Sequence, residues 1–262
     1  PNLSMKKILF VLCLMAGIFG VASAEAKGKE KKSYNIVFIG NSITQGVLHA
    51  DRTKSAPPVF AAEMIGKALK SEVRFRNVGR AGATTFDWLP EAKRYFPLVE
   101  KAVAELKAEN KDAEFIFPIM LGTNDSASKG PTGCPVKNED YKQNLLTMIA
   151  KIREMCPGAI FVLQQPIWYS PNTYNGAVYL LDGLKRMMGY TPTLVEIAGE
   201  NADIYMGDTE SFEFFHKNYE KYLIAEPGYA GTFYLHPHEK GAKKLAKYWS
   251  EAIVAAIKAA RD

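Results

Sequence analysis

Apolar and polar residues follow two different spacings along the chain. Short apolar or β-branched runs predict strands at Ile36–Ile39, Val73–Asn77, Phe115–Leu121, Ile160–Gln164 and Asp203–Met206. Apolar residues with helical spacing predict helices at about Pro57–Leu69, Thr85–Leu106 (interrupted near Pro97), Glu139–Met155, Val178–Met188, Ser211–Ile224 and Pro237–Ala260. Because strands that alternate with helices indicate βαβ units, the sequence predicts an α/β fold with a parallel sheet covered by helices on both faces.

Two connections, Asn124–Asn138 and Pro166–Ala177, are long for a compact domain. Long loops after strands are often binding loops, and simple surface insertions are the alternative. The second loop contains Trp168, Tyr169 and Tyr174. Their rings could lie against sugar rings or could pack within the protein, and the sequence leaves both open.

The first 24 residues have the pattern of a cleaved secretory signal. After Met5, two lysines precede an apolar stretch at residues 8–21, and Ala22-Ser23-Ala24 fits a small-x-small cleavage site. We therefore expect a secreted or periplasmic protein in which residues 1–4 are a cloning remnant, 25–33 a polar tail and 34–262 one domain. A retained anchor is the alternative, but the apolar stretch is short for a membrane span.

Charge and cysteine content exclude some classes of function. The net charge is +5, and no basic cluster with interleaved aromatic residues occurs, so we do not expect nucleic acid as a partner. Because the signal is expected to be cleaved, we also expect no stable membrane insertion. Beyond the signal only Cys134 and Cys156 remain. A secreted protein permits a disulfide between them, and free thiols are the alternative. Neither has a CxxC partner or a nearby histidine, which argues against a zinc site.

A serine follows the first predicted strand at once. Residues 34–44 read Tyr-Asn-Ile-Val-Phe-Ile-Gly-Asn-Ser-Ile-Thr, a buried-strand pattern that stops at Gly40. Open α/β sheets place their chemistry just past the carboxyl ends of such strands. Ser42 is therefore a candidate nucleophile, although Gly, Asn and Ser are also ordinary turn residues.

Three further segments lie where the same site would need them. Residues 77–84 follow the second strand and are rich in glycine but lack the GxGxxG form of a dinucleotide loop. Leu121-Gly122-Thr123-Asn124-Asp125 follows the third strand and offers an amide side chain, and His236-Pro237 precedes the last helix. A nucleophile, a base and two kinds of amide donor are the minimal parts for acyl transfer through a tetrahedral oxyanion.

Together these segments resemble the four sequence blocks of the SGNH/GDSL hydrolases, in the family's order. The matching residues are Gly40-Asn41-Ser42-Ile43-Thr44, Gly82, Gly122-Thr123-Asn124-Asp125 and His236-Pro237. The resemblance implies a three-layer α/β/α sandwich with a flavodoxin-like, five-stranded parallel sheet. It also implies that Ser42 is the nucleophile and His236 the base, and that the Ser42 amide, the Gly82 amide and the Asn124 side chain form the oxyanion hole. No metal or organic cofactor is implied.

The chain departs from the family pattern at two positions. Asn41 stands where an aspartate often precedes the serine, and Phe233 stands where the last block usually has an aspartate, three residues before the histidine. The carboxylate that would orient His236 is therefore missing from its expected place. Asp208 and Glu226 are the candidate replacements, but we predict that a Ser42–His236 dyad oriented by a backbone carbonyl suffices.

The sequence thus predicts a secreted serine esterase that removes short acyl groups, above all acetyl, from carbohydrates or similar polar substrates. The Gly-Asn-Ser-Ile-Thr form of the first block is similar to the carbohydrate O-acetylesterase branch of the family. A lipase or lysophospholipase, or a non-catalytic glycan-binding protein on the same fold, are the alternatives. His49 and His216 are expected to have surface or structural roles, and Asp125 to support Asn124.

Overall fold

A computed structural model describes residues 32–261, and its centre is a sheet of five parallel strands. The strands are β1 (Tyr34–Gly40), β2 (Val73–Asn77), β3 (Glu114–Met120), β4 (Ile160–Leu163) and β5 (Ile204–Met206). Their order across the sheet is β2-β1-β3-β4-β5. β2 lies on one side of β1, and the later strands lie on the other side. The strand order therefore reverses between β1 and β3, and open α/β sheets bind ligands at such a switch point. The predicted parallel α/β fold is confirmed.

The longer helices cover the sheet because they present apolar stripes to it. They are α1 (Ser42–Gln45), α2 (Arg52–Ser55), α3 (Pro57–Leu69), α4 (Phe96–Glu109), α5 (Asn138–Met155), α6 (Leu180–Met188), α7 (Tyr190–Glu200), α8 (Ser211–Tyr222) and α9 (Glu239–Ala259). In α9 the buried residues Leu245, Trp249, Ile253 and Ile257 recur every four positions. The Trp249 ring stacks on Phe38 of β1 with 6.2 Å between the ring centroids.

One predicted helix is shorter than its apolar pattern suggested. The expected helix over Thr85–Leu106 begins only at Phe96, and two short 3-10 turns precede it. Leu89, immediately before Pro90, is extended with ψ 137°, because a residue before proline is sterically excluded from the helical region. Pro97 instead lies in the first turn of α4, where its missing N–H costs nothing.

Two features of the second half were not predicted. A separate helix, α7, follows α6 directly, with Pro192 in its first turn. Residues 223–237, expected to be the end of a helix and a loop, form an antiparallel hairpin of β6 (Leu223–Gly228) and β7 (Gly231–Pro237). Phe233 and Leu235 of β7 are buried, so the hairpin is packed into the domain.

The two long loops are present as predicted and lie against each other. Lys129 of the first loop forms an isolated antiparallel bridge with Val178 just after the second. The second loop also holds the hairpin, since the Ser170 amide donates to the Tyr234 carbonyl at 2.9 Å and the Tyr229 amide to the Tyr174 carbonyl at 2.8 Å.

The cysteines, the secretory signal and membrane insertion were also subjects of sequence-based predictions. Cys134 and Cys156 are both free thiols, so the disulfide left open by the sequence does not form. The predicted signal lies outside the described residues and stays a prediction. Within residues 32–261 no helix is long and apolar enough to cross a membrane.

Candidate active site

The end of β1 forces a tight turn that presents Ser42. A side chain at Gly40 would overlap the Thr44 side chain, so only glycine lets the strand turn directly into α1. Asn41 caps that helix, its Oδ1 accepting a hydrogen bond from the Ile43 amide at 3.0 Å. This cap needs only a side-chain oxygen, which asparagine supplies as well as aspartate does. Ser42 is thus the first residue of α1.

A serine, a histidine and a glutamate form a continuous hydrogen-bonded series. His236 Nε2 lies 2.9 Å from Ser42 Oγ, and His236 Nδ1 lies 2.8 Å from Glu226 Oε1. A carboxylate can only accept, so Nδ1 carries the proton and Nε2 accepts from the serine hydroxyl. The side chains of His236 and Glu226 are only 9% and 12% exposed. The arrangement has the connectivity of a Ser-His-acid triad.

The Glu226 carboxylate orients His236, so the prediction that a backbone carbonyl does so is wrong. His236 Nδ1 donates to Glu226 Oε1, and the same oxygen also accepts a hydrogen bond from the His236 backbone amide at 3.3 Å. The other candidate, Asp208, accepts instead from the amides of Glu210 and Ser211 at 2.8 and 3.1 Å. Asp208 therefore stabilises the start of α8.

The hairpin explains how a residue ten positions before the histidine reaches it. Glu226 on β6 pairs directly with Phe233 on β7, the residue at the family's usual aspartate position. The carboxylate is thus supplied from the neighbouring strand. The sequence does contain a signal for this pairing, because Gly228-Tyr229-Ala230-Gly231 is a turn sequence between two β-prone segments.

Three amide groups that could bind an oxyanion belong to residues that line one cleft. The Ser42 amide is at the start of α1, and the Gly82 amide is in an exposed turn whose φ of +73° suits glycine. Neither amide has a hydrogen-bond acceptor among residues 32–261. A Cβ atom at Gly82 would meet nothing within 4 Å, so the space beside this amide is open. Asn124 supplies the third group, and all three residues line one cleft with His236.

Tyr179 and Ala83 fix the orientation of the Asn124 side chain. Asn124 Nδ2 donates to the Ala83 carbonyl at 2.9 Å, and the Tyr179 hydroxyl donates to Asn124 Oδ1 at 2.7 Å. One N–H of the amide remains to donate into the cleft. Sequence reasoning did not find Tyr179, since it lies 55 residues from Asn124 and belongs to no motif.

Asp125 anchors the loop that carries Asn124, as expected. Its Oδ1 accepts from the Thr85 amide at 2.9 Å and from the Thr85 hydroxyl at 2.5 Å. Burial raises the pKa of the Asp125 carboxyl to about 6, and its second oxygen has no partner among the described residues. The contact ties the loop after β3 to the segment after β2, and these two segments supply Asn124 and Gly82.

The cleft has a volume of about 490 Å³ and is bounded by both long loops. Its lining residues are Ser42, Val47, Ala81, Gly82, Arg94, Asn124, Gly130, Pro131, Thr132, Asn175, Gly176, Ala177, Tyr179, Leu235 and His236. The loops therefore contribute to the site, as binding loops would.

The other singled-out side chains lie elsewhere. Trp168 and Tyr169 are 6% and 0% exposed, so they pack within the protein. His49 bonds Ser55 Oγ at 3.1 Å and the Pro237 carbonyl at 2.9 Å, a structural role, and His216 stacks on Trp168. Only Tyr174, which is half-buried, lies beside cleft residues.

Comparison with known proteins identifies the family. The model of the GDSL-like lipase/acylhydrolase family matches residues 38–244, whereas no curated protein sequence matches significantly. Among solved structures, an acetylxylan esterase from Geobacillus stearothermophilus is 18% identical with a TM-score of 0.56, covering 85% of this chain and 95% of its own. A GDSL-like lipase from Parabacteroides merdae gives 18% identity and 0.55, covering 85% and 96%.

An α/β hydrolase from the metagenome of Lake Arreo, Spain, is also similar, with 18% identity and a TM-score of 0.57 over 88% of this chain and 98% of its own. At such low identity these three structures support the fold. The family match spans both the serine block and the histidine block. The chain therefore belongs to the GDSL-like lipase/acylhydrolase family and is an esterase of the SGNH/GDSL type.

Proposed function

We propose that the protein is a secreted serine esterase that hydrolyses short acyl esters, above all acetyl esters, of carbohydrates or similar polar compounds. The observation that carries the proposal is the hydrogen-bonded series of Ser42, His236 and Glu226 at one wall of a cleft. The predicted signal at residues 5–24 supports secretion.

In the first half-reaction Ser42 Oγ attacks the ester carbonyl carbon while His236 Nε2 takes the hydroxyl proton. Glu226 keeps the ring in the required tautomer and stabilises the imidazolium that forms. The negative charge that develops on the carbonyl oxygen is bound by the amides of Ser42 and Gly82 and by the free N–H of Asn124. When the intermediate collapses, the imidazolium returns its proton to the leaving alcohol, and the acyl group stays on Ser42.

In the second half-reaction a water molecule attacks the acyl carbon and gives one proton to His236 Nε2. The same donors bind the second oxyanion. Collapse releases the carboxylic acid, and the proton on His236 returns to Ser42 Oγ. The enzyme is thereby restored with one ester bond and one water molecule consumed.

The cleft lining favours a short acyl group. Its apolar side chains are few and mostly small, with Val47 and Leu235 the largest aliphatic ones. Each methylene buried by a longer chain would contribute about 0.8 kcal/mol, and this lining offers little apolar surface to bury it. The lipase alternative needs such a surface.

A pair of tyrosines supports a carbohydrate as the alcohol part. Tyr229 at the tip of the hairpin is 78% exposed, and its ring centroid lies 4.9 Å from that of Tyr174. Tyr174 directly precedes Asn175 and Gly176, which line the cleft. Tyrosine rings that combine an apolar face with a polar edge suit sugars bound beside the reacting ester.

Substrate preference tests this function. We expect nitrophenyl acetate to be hydrolysed with a higher kcat/KM than nitrophenyl octanoate, and acetyl groups to be released from acetylated oligosaccharides. The control is the Ser42→Ala variant, which measures the background rate. A steep rise of kcat/KM with acyl length would favour the lipase instead, and no release above background would refute the esterase.

The oxyanion donors give a second prediction. Replacing Asn124 with alanine should lower kcat by about 10²–10³ with little change in KM, because its free N–H binds mainly the charge of the transition state. Steady-state kinetics with nitrophenyl acetate measure both parameters, and thermal melting controls for the lost bond to Ala83. Tyr179→Phe, which keeps the amide but loosens it, should cost less. An effect confined to KM would assign Asn124 to ground-state binding.

A further inference from the structure

The cleft contains an arginine that takes no part in the proposed hydrolysis of a neutral ester. Arg94 lines the cleft together with Ser42 and His236. We propose that Arg94 binds a carboxylate on the alcohol part of the substrate, so that the preferred substrates are acetyl esters of acidic sugars. This inference rests on the proposed esterase function and names the substrate class of the same site.

Two hydrogen bonds hold the Arg94 side chain in place. Its Nη1 donates to Asp87 Oδ1 at 2.6 Å and to Thr132 Oγ1 at 2.8 Å. Asp87 is 2% exposed, and its other oxygen accepts from the Thr84 amide at 2.9 Å. Arginine is protonated in proteins in any case, and the Asp87 charge raises the pKa of this guanidinium further. The buried carboxylate thus fixes the direction of a side chain that would otherwise be mobile.

The outer part of the guanidinium remains available. The Arg94 side chain is 53% exposed, and its guanidinium carbon lies 5.1 Å from the centroid of the Tyr95 ring. Its Nη2 has no hydrogen-bond acceptor among residues 32–261. Since an arginine presents its donors in a planar fork that matches a carboxylate, a fixed and half-exposed guanidinium is well suited to bind one.

The charge of the cleft points the same way. Among the described residues that line it, Arg94 is the only lysine or arginine, and no aspartate or glutamate is present. Asp87 and Glu226 bond Arg94 and His236 but do not line the cleft, so the guanidinium is the charged group that the cleft presents to a substrate. The Arg94 guanidinium would attract a substrate carboxylate near the scissile ester. An ion pair with only a structural role would not need to face the cleft.

A matched pair of substrates tests the inference. Methyl glucuronide and methyl glucoside, each carrying one acetyl group at the same ring position, differ only in a carboxylate against a hydroxymethyl group. We expect the wild type to prefer the acidic ester by about 10- to 100-fold in kcat/KM, mostly through KM, as one charge-assisted pair would provide. Added NaCl should reduce this preference because it screens exposed charges.

Variants at neighbouring positions provide the controls. Arg94→Gln should reduce the ratio of the two kcat/KM values to about one, and Arg94→Lys should give an intermediate ratio because the charge stays and the fork is lost. Lys93→Gln removes the same charge from an exposed neighbour outside the cleft and should leave the ratio as in the wild type. Thermal melting confirms that each variant folds.

The outcomes separate this inference from the proposed function. Equal hydrolysis of both esters by the wild type, or a preference that Arg94→Gln preserves, would overturn the role of Arg94 and leave the esterase intact. An equal loss for both esters in Arg94→Gln would show that the arginine is structural. If the wild type hydrolyses neither of these esters nor nitrophenyl acetate above the Ser42→Ala background, the proposed function fails together with the role of Arg94.

Discussion

Ser42→Ala is expected to lower the turnover of nitrophenyl acetate by about four to six orders of magnitude. The hydroxyl that forms the acyl intermediate is removed, and the attack that His236 assists at 2.9 Å no longer has a nucleophile. The residual rate would come from the oxyanion donors acting on a water molecule. Because Ser42 faces the cleft and only one hydroxyl is lost, the melting temperature should change little.

Covalent labelling provides an independent readout. A fluorophosphonate should modify the wild type at Ser42 and should not modify the Ser42→Ala variant. Ser71→Ala, at the turn after α3, is the matched control and should keep both labelling and turnover. Turnover near the wild-type level in Ser42→Ala would mean that the reaction does not pass through this serine.

Glu226→Gln is the second change with a large expected effect, a loss of about 10³–10⁴ in kcat. Glutamine has nearly the same shape but no charge to stabilise the imidazolium, and its amide can hold the ring in the wrong tautomer. In the serine-protease template the corresponding change costs about 10⁴. Steady-state kinetics with nitrophenyl acetate measure the loss.

Asp208→Asn is the matched control for Glu226→Gln. Asp208 is a buried acid too, but its carboxylate bonds the amides at the start of α8. The variant should therefore keep near wild-type turnover once folded. The opposite ranking, with Glu226→Gln active and Asp208→Asn inactive, would contradict the role of Glu226 in orienting His236.

The fold could be predicted because the central strands of the main sheet are buried on both faces. β1 is buried along its whole length, and such strands appear in the sequence as continuous apolar runs bounded by turn residues. Periodicity was misleading over Thr85–Leu106, where the apolar spacing is helical but Pro90 prevents a helix from forming. It also gave no sign of the hairpin, because β6 contains Pro227, which is rare inside strands, and β7 lacks a regular alternation of buried and exposed residues.

The site was predictable to the extent that its parts lie within motifs. Ser42, Gly82, Asn124 and His236 each follow a strand or precede a helix in a recognisable block, and all four line the cleft. Glu226 could not be assigned in this way, because its position depends on the pairing of β6 with β7. Tyr179 and Arg94 reach the cleft only through the packing of loops and turns, and sequence periodicity carries no information about such contacts.

The hairpin also determines how the enzyme would lose its activity. His236 and Glu226 both lie on β6–β7, whereas Ser42, Gly82 and Asn124 follow strands of the main sheet. A two-stranded hairpin is marginally stable by itself, and this one depends on contacts such as the buried Phe233 ring. A local opening would carry base and acid away together while the nucleophile and the oxyanion donors stay in place. The free energy of this sub-global opening, rather than that of global unfolding, would then set the temperature at which catalysis ceases.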